Sequence, residues 1–149
     1  MADKKGRTAL HYASELGQDD TLEMLLNANA DPNALETASK KTALHLAIEN
    51  GQFNSVQILW THSESGKSGH KLDLSRWDAH GQTVLHYAAV TQGNAALYLK
   101  FFVEKCNMNV FMKSRLGLTA REYVQKVDRF KFHRVVKLLR EMEKQALDQ

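Results

Sequence analysis

Short apolar runs at helical spacing occur in pairs along the chain. In the first run, Leu10 and Ala13 lie three positions apart on one helix face, and Gly17 follows where a left-handed C-cap is expected. The second run has its apolar side at Leu22, Met24, Leu25 and Leu26. Residues 29–33, which include a proline, cannot continue a helix. The pattern therefore predicts two short amphipathic helices joined by a tight turn.

This unit recurs three more times, and a related hexapeptide begins the first helix of each copy. The copies that start at positions 8, 42 and 83 share threonine first, leucine third, histidine fourth and alanine sixth. A fourth copy, at Thr119, has Arg121 and Glu122 in the leucine and histidine places. The copies start 34, 41 and 36 residues apart. These spacings indicate a repeat of about 33 residues with insertions.

The hexapeptide and its period resemble the ankyrin repeat, and the resemblance covers almost the whole chain. It implies an all-α fold, an ankyrin-repeat solenoid of stacked helix-turn-helix units with hairpin-like finger loops. The expected repeats span approximately 3–35, 36–77, 78–113 and 114–145 of one domain, 1–149. The last repeat is degenerate, and polar residues in it suit a terminal unit with no neighbour to cover it.

Insertions modify the later repeats. The second finger has one extra residue, which places Lys40 where the first has Gly6. Residues 63–70 are surplus and Ser/Gly-rich, so we expect an exposed, mobile loop there. One further residue is surplus at 90–92, and about two near 106–108. Second helices are expected around Phe53, Val56, Ile58 and Leu59 and around Val135, Val136, Leu138 and Leu139, followed by an exposed tail at 141–146.

No polar capping unit precedes the first repeat. We interpret the chain as a segment of a longer protein. The alternative is a first repeat that caps itself with Asp19, Asp20 and Glu23.

Composition and charge limit the class of protein and the cellular compartment that we expect. With 149 residues, of which 43% are hydrophobic, the chain is long enough for a continuous core. No apolar run reaches the ~18 residues of a membrane span, and residues 1–5 lack the apolar stretch of a signal peptide. A lone cysteine, Cys106, fits a reducing compartment, so we expect a cytoplasmic or nuclear protein. Residues 1–60 carry a net charge of −3 and residues 113–144 one of +6.

Candidate chemistry is sparse, and we expect no enzyme, no metal and no cofactor. His11, His45 and His86 share one hexapeptide place and lie too far apart along a stack to hold one zinc ion, so a structural role is favoured. A phosphate-binding loop ending in Gly66-Lys67-Ser68 would need a glycine where Thr61 stands. The flanking histidines 62, 70 and 80 lack a third ligand at metal spacing, and we expect Cys106 to be a buried or half-buried thiol at a helix end.

Residues 129–134 mix cations with aromatics, as nucleic-acid surfaces do. Phe130 and Phe132 lead into the last helix, however, where stacking requires apolar side chains. We therefore interpret the basic residues as a solvated end of the stack, and nucleic acid is not the expected partner.

The resemblance places the binding surface on the concave side, at the finger tips and the exposed side of each first helix. Carried over by position, the expected contacts are Lys4, Lys5, Arg7, Glu15, Leu16, Lys40, Lys41, Glu49, Asn50, Trp77, His80, Gln82, Val90 and Thr91. Trp77 either contacts the partner or folds back on Leu72 or Leu74, whereas Trp60 is expected in the core. Nothing nearby in the sequence neutralises lysines 4, 5, 40 and 41, which we expect to steer an acidic segment.

The expected function is a protein–protein interaction module or scaffold that binds a partner protein or peptide, without membrane insertion. The alternative is an ankyrin-type inhibitor that masks a Rel-like transcription factor. The acidic first half is compatible with it, but the basic fourth repeat lacks the acidic tail common in such inhibitors. A nucleic-acid-binding accessory domain comes third.

Overall fold

The computed structural model describes residues 2–91, 93–128 and 130–149. Over these residues the chain forms eight α-helices and no β-strand, which confirms the predicted all-α fold. The helices are α1 (Ala9–Leu16), α2 (Asp19–Asn27), α3 (Ala43–Glu49), α4 (Phe53–Glu64), α5 (Val84–Val90), α6 (Ala95–Lys100), α7 (Ala120–Asp128) and α8 (His133–Leu147). A π-helical turn, Phe101–Lys105, continues α6.

The hexapeptide starts each first helix, as its residue types predict. In α1 the Thr8 side chain accepts a hydrogen bond from the His11 backbone N–H, while the His11 ring accepts one from the Thr8 N–H. The same reciprocal cap starts α3 at Thr42 and His45. Gly17 ends α1 in the left-handed conformation, at φ 67°.

Stacking of the first helices forms the spine of the domain. Helix α3 packs against α1 on one side and α5 on the other, and α5 packs in turn against α7. Each first helix also packs against its own second helix, and α2 packs against α4. Between α4 and the α6 region, Phe53 meets the rings of Tyr98 and Phe101 edge-on at 5.4 and 5.5 Å. Buried apolar residues join all four helix pairs into one continuous core.

The finger loops form a second ladder beside the helices. Each later finger donates one backbone N–H to a carbonyl of the finger before it, in the pairs Thr37–Lys5 at 2.8 Å, Ala79–Ser39 at 2.7 Å and Arg115–Gly81 at 2.8 Å. Gly81 is required at its place, because its φ is +75° and a Cβ would lie 2.4 Å from the Arg115 Cβ. Lys40 takes the left-handed conformation at φ 55°, which confirms its equivalence to Gly6.

The insertion after α4 begins later than the sequence suggested. Ser63 and Glu64 belong to the last turn of α4, and the Ser63 hydroxyl accepts from the Leu72 N–H at 2.8 Å. Ser68 and Gly69 both donate to the Asn29 side-chain carbonyl at 3.3 Å. The insertion therefore lies against the end of the first repeat, and no helix follows Ser68 as a phosphate-binding loop would require.

The surplus near residue 106 is absorbed by the π-helical turn. The Cys106 N–H donates to the Phe101 carbonyl at 3.0 Å, five residues back, and Asn107 follows at φ 55°. The other surplus residue of this repeat was predicted at 90–92, of which Gln92 lies outside the described residues.

Two expectations about burial were wrong. Met24 was placed on the apolar side of α2 but is 72% exposed, because its side chain points away from α1 and α4. Residues 141–146 were expected to form an exposed tail, yet Met142 and Glu143 are buried. Glu143 reaches Arg121 of α7 at 2.7 Å, so this part of α8 packs on the fourth repeat.

Candidate functional site: an inner groove beside the fingers

A groove of about 740 Å³ runs along α3 and α5, from the second and third fingers to the turns that follow these helices. We call it the inner groove. Seven of the predicted contact residues line it, namely Lys41, Glu49, Asn50, His80, Gln82, Val90 and Thr91. The structure thus brings residues from 41 to 91 onto one surface between the second and third repeats.

The other predicted contacts lie outside the lining of this groove. They are Lys4, Lys5, Arg7, Glu15, Leu16, Lys40 and Trp77. Most of them belong to the first repeat, which α3 separates from the groove. Trp77 precedes the third finger and is 45% exposed, whereas Leu72 is buried in the core and Leu74 packs against it. Trp60 packs against the core, as expected.

Six groove residues were missed by the sequence reasoning: Ile48, Gly51, Tyr87, Asn94, Tyr98 and Tyr123. Tyr87 and Tyr123 hold the fifth place of their hexapeptides, directly after the histidine place. That regularity could have identified them. Tyr98 replaces the smaller Leu22 and Val56 of the earlier second helices, and nothing in its local sequence indicates that it reaches the groove.

Asp78 anchors the finger that forms one wall. It is fully buried, and one carboxylate oxygen accepts from the N–H groups of His80 and Gln82 at 3.0 and 2.9 Å. Its other oxygen accepts from the Tyr87 hydroxyl. Burial, followed by the hydrogen bond to Asp78, raises the pKa of Tyr87 well above its ordinary value, so this phenol stays protonated.

The aromatic wall continues into the fourth repeat. The Tyr87 ring meets His45 edge-on at 5.0 Å, and Tyr123 meets His86 in the same way at 5.6 Å. The Gln82 side chain donates to the Tyr123 hydroxyl at 2.6 Å. Each tyrosine thus covers the histidine of the preceding repeat, and its remaining edge faces the groove.

The expectation that lysines 4, 5, 40 and 41 are left unneutralised is wrong for Lys41. Lys41 contacts the Glu49 carboxylate at 2.7 Å and lies 5.8 Å from the Tyr87 ring centre. Arg7 contacts both Glu15 and Glu36, at 2.8 and 2.6 Å. The sequence did not show these pairs because each joins a finger to a helix or to the next finger. Lys4, Lys5 and Lys40 are exposed and, within 2–91, 93–128 and 130–149, form no ion pair.

Comparison with known proteins agrees with this architecture. Residues 10–59 match the family model described as ankyrin repeats (many copies). The chain is 33% identical over 104 residues to a transient receptor potential cation channel subfamily A member 1 homolog of Caenorhabditis elegans, covering 70% of the chain and 8% of that protein. It is 31% identical to mouse rabankyrin-5 over 93 residues, which is 62% of the chain and 7% of that protein. The chain belongs to the ankyrin-repeat family.

A third relative is named as an inhibitor. The NF-kappa-B inhibitor cactus of Drosophila melanogaster is 33% identical over 85 residues, 57% of the chain and 16% of that protein. The chain therefore spans less than a fifth of the length of each of these relatives. Ankyrin repeats are a protein–protein interaction module, and this is the level at which the relatives agree.

The ankyrin histidines have the structural role predicted for them. His11 and His86 each use Nε2 to donate to a carbonyl of the next finger, Lys41 at 3.2 Å and Leu118 at 2.8 Å. A carbonyl can only accept, so Nε2 carries the proton and Nδ1 accepts from the threonine at the start of the helix. Burial lowers the pKa of both rings and of His45, which keeps them neutral. Within the described residues His45 Nε2 has no hydrogen-bond partner, and the Asp78 carboxylate and the Gln82 carbonyl raise its pKa against the larger effect of burial.

The fourth ankyrin repeat keeps the cap without the bridge. Glu122 stands in the histidine place, and its carboxylate accepts from the Thr119 N–H at 2.9 Å, while its own N–H donates to the Thr119 hydroxyl. This completes a capping box at the start of α7.

Reactive groups are few in the described part of the ankyrin domain. No three His, Cys, Asp or Glu side chains come together there as a metal would require, and histidines 62, 70 and 80 are no exception. Burial raises the pKa of the Cys106 thiol to about 12, so this cysteine is a buried thiol at a helix end, as expected. None of the described helices is both long enough and apolar enough to cross a membrane.

Proposed function

We propose that this ankyrin domain is an interaction module that holds an extended segment of a partner protein along its concave surface, with the inner groove as the centre of contact. One observation carries the proposal. Seven residues predicted as contacts from their places in the repeat line the same groove as three tyrosines. Tyrosine is enriched where interfaces concentrate their binding energy.

The groove favours a polar, nearly neutral peptide segment. Asn50, His80 and Asn94 are exposed hydrogen-bonding side chains, while Tyr87 and Tyr123 supply half-buried aromatic surface. The charge of Lys41 is offset by Glu49 inside the groove. Attraction of an acidic flank would therefore come from Lys4, Lys5 and Lys40 on the neighbouring finger tips rather than from the groove itself.

The relatives do not favour the inhibitor alternative. The identity to cactus, 33%, equals that to the channel homologue and covers less of this chain, 57% against 70%. The general interaction module therefore remains our conclusion. We place it in the cytoplasm or nucleus because its one cysteine is a buried free thiol, which suits a reducing compartment.

A pair of matched substitutions tests the proposal. Asn94→Arg puts a long cation into the inner groove, whereas Asn54→Arg puts the same side chain at a different exposed place, near the start of α4 and outside the groove. Partners recovered from cell lysate with the wild-type domain are quantified by mass spectrometry, and their affinities are then measured with purified proteins. Loss with Asn94→Arg and retention with Asn54→Arg is the expected result. Equal binding by both variants would move the contact away from the groove.

A further inference from the structure

The turn at the end of α1 is covered by a side chain of the second repeat. Gln52, which precedes α4, donates its side-chain N–H to the Glu15 carbonyl at 3.2 Å. Its carboxamide lies directly over Gly17, where an added Cβ would be 2.4 Å from the carboxamide oxygen. The last carbonyls of a helix have no partner within the helix, and Gln52 supplies one here.

The equivalent turn at the end of α3 has no such cover in the described chain. Glu49 and Gly51 hold the places of Glu15 and Gly17, 34 residues later. Apart from its chain neighbours, no described residue has an atom within 4 Å of the position of a Cβ on Gly51. The Glu49 carbonyl accepts no hydrogen bond from any described residue. The space that Gln52 fills in the first repeat pair is therefore open here, at one end of the inner groove.

Asn94 does not replace the glutamine contact. It precedes α6 as Gln52 precedes α4, and its exposed side chain lines the groove. It is shorter by one methylene group, and its backbone differs, with ψ at 6° compared with 70° at Gln52. The Glu49 carbonyl is thus left for a group from outside the described chain.

A buried hydroxyl without a partner lines the same end of the groove. The Tyr98 ring packs on Phe53, which lies two residues after Gly51. Tyr98 is fully buried, and its hydroxyl has no hydrogen-bond partner among the described residues. Leu22 and Val56 hold its place in the earlier second helices, so the core requires no hydroxyl there. An unbonded buried hydroxyl destabilises the fold, so a ligand that bonds it gains an interaction that the folded chain leaves unmade.

We propose, on the basis of the function proposed above, that this end of the inner groove binds a side-chain carboxamide, that of a glutamine or asparagine in the partner segment. The carboxamide N–H donates to the Glu49 carbonyl, as Gln52 does to Glu15, and the carboxamide oxygen accepts from the Tyr98 hydroxyl. A carboxylate has no donor and an ammonium no acceptor, so neither can serve both groups. The Tyr98 oxygen has no accessible surface in the free domain, so an exposed neighbour such as Asn94 changes rotamer when the ligand enters.

Selection from a random peptide library displayed on phage tests the proposal, with the wild-type domain and three variants as targets. Tyr98→Phe removes the unbonded hydroxyl and nothing else. Tyr12→Phe is its matched control, because it removes a hydroxyl outside the groove, one that donates to Asp3. Asn94→Arg blocks the groove itself. Circular dichroism melting curves establish that each variant is folded, and the midpoint of Tyr98→Phe should not fall, since its hydroxyl has no partner to lose.

Peptides selected by the wild-type domain should share a glutamine or asparagine at one aligned position. A synthetic peptide in which methionine replaces that residue keeps a side chain of similar length without its hydrogen bonds. It should bind the wild-type domain about tenfold more weakly. Tyr98→Phe should reduce this preference by about three- to tenfold, because one of the two hydrogen bonds is gone, and Tyr12→Phe should leave it unchanged.

The same experiment separates failure of the carboxamide site from failure of the proposed function. Peptides that lose binding to Asn94→Arg but share no carboxamide overturn the carboxamide site and leave the groove as the binding surface. An unchanged preference on Tyr98→Phe does the same. Peptides that bind Asn94→Arg as well as wild type, or a library that yields no binder, count against the groove and the carboxamide site together.

Discussion

His86 Nε2 donates a 2.8 Å hydrogen bond to the backbone carbonyl of Leu118, which ties the third repeat to the finger of the fourth. The other nitrogen of the same ring contacts the Thr83 hydroxyl at 2.8 Å, so one buried side chain contacts both the residue before its own helix and the next repeat. This explains why histidine recurs at a place where a metal or catalytic role was also conceivable. The ring links neighbours along the stack.

Replacement of these histidines should reduce stability. His45→Ala removes a buried hydrogen-bonding group and should lower the free energy of unfolding by about 1–3 kcal/mol. His86→Ala should cost more within that range, since both of its ring nitrogens are bonded. Glu122→Ala, at the same hexapeptide place on an exposed helix start, should cost least. Urea unfolding measures all three, and an unchanged midpoint for His45→Ala together with lost partner binding would contradict the structural role.

Stability should fall as the pH drops below about 6.5, the ordinary pKa of histidine. Burial lowers the pKa of His11, His45 and His86 in the folded protein, so in acid the unfolded chain binds protons that the folded chain does not. Each ring then reduces the free energy of unfolding by up to about 1.4 kcal/mol per pH unit, until the pH reaches its lowered folded pKa. Urea unfolding between pH 7 and pH 5 measures this slope, and His86→Asn should make it shallower. A flat profile would show that the rings are not buried neutral.

Local patterns predicted the first helices well. A threonine followed three residues later by histidine carries its own capping hydrogen bonds, so Thr8 and Thr42 start helices wherever the stack places them. The left-handed Lys40 could also be predicted, because the equivalent residue in the first finger is a glycine. These features depend on a few neighbouring residues.

Features that depend on a neighbouring helix were not predictable in the same way. Met24 sits in an apolar run but is 72% exposed, while Met142 sits in a polar run and is buried. The Lys41–Glu49 pair joins a finger to the far end of a helix, eight residues away. Tyr98 lines the groove although it is fully buried, and its ring packs edge-on against Phe53 of the preceding helix pair.

The insertion should be dispensable for folding. Deleting Ser63–His70 removes the last two residues of α4 and the hydrogen bonds to Asn29. Most of the eight deleted residues are exposed. Shortening a loop changes its closure entropy little, so the melting midpoint should stay within a few degrees. Deleting only 66–69 keeps the Ser63–Leu72 hydrogen bond and serves as the milder control. If the deletion of Ser63–His70 unfolds the protein, this segment packs on the stack and contributes to its stability.

The finger lysines are predicted to set the rate of association with an acidic partner segment. Reversing Lys4, Lys5 and Lys40 to glutamate should slow association and flatten its dependence on salt, because the three side chains are exposed and unpaired in the described chain. Lys41→Glu should be made separately. It also breaks the pair with Glu49, which at a partly exposed place is worth about 0.2–1 kcal/mol of stability. Stopped-flow or surface-plasmon kinetics at several salt concentrations measure the effect, and unchanged rates for the triple variant would rule out steering by these fingers.

Trp77 should be an interface hot spot at the edge of the concave surface. Its ring is 45% exposed beside the buried Asp78 that anchors the third finger, so truncation removes contact area without opening the core. Trp77→Ala should weaken partner binding by about 2 kcal/mol or more, which is about thirtyfold in Kd. The free energy of unfolding should change by no more than about 0.5 kcal/mol, as for other surface substitutions. A large loss of stability would favour the packing alternative, in which the ring folds onto Leu72 or Leu74.

If Trp77→Ala and the lysine variant both bind like wild type, while changes at Lys131, Arg134 and Arg129 (the last outside the described residues) abolish binding, the site is the basic C-terminal end. A nucleic-acid ligand would then become the better explanation of the function.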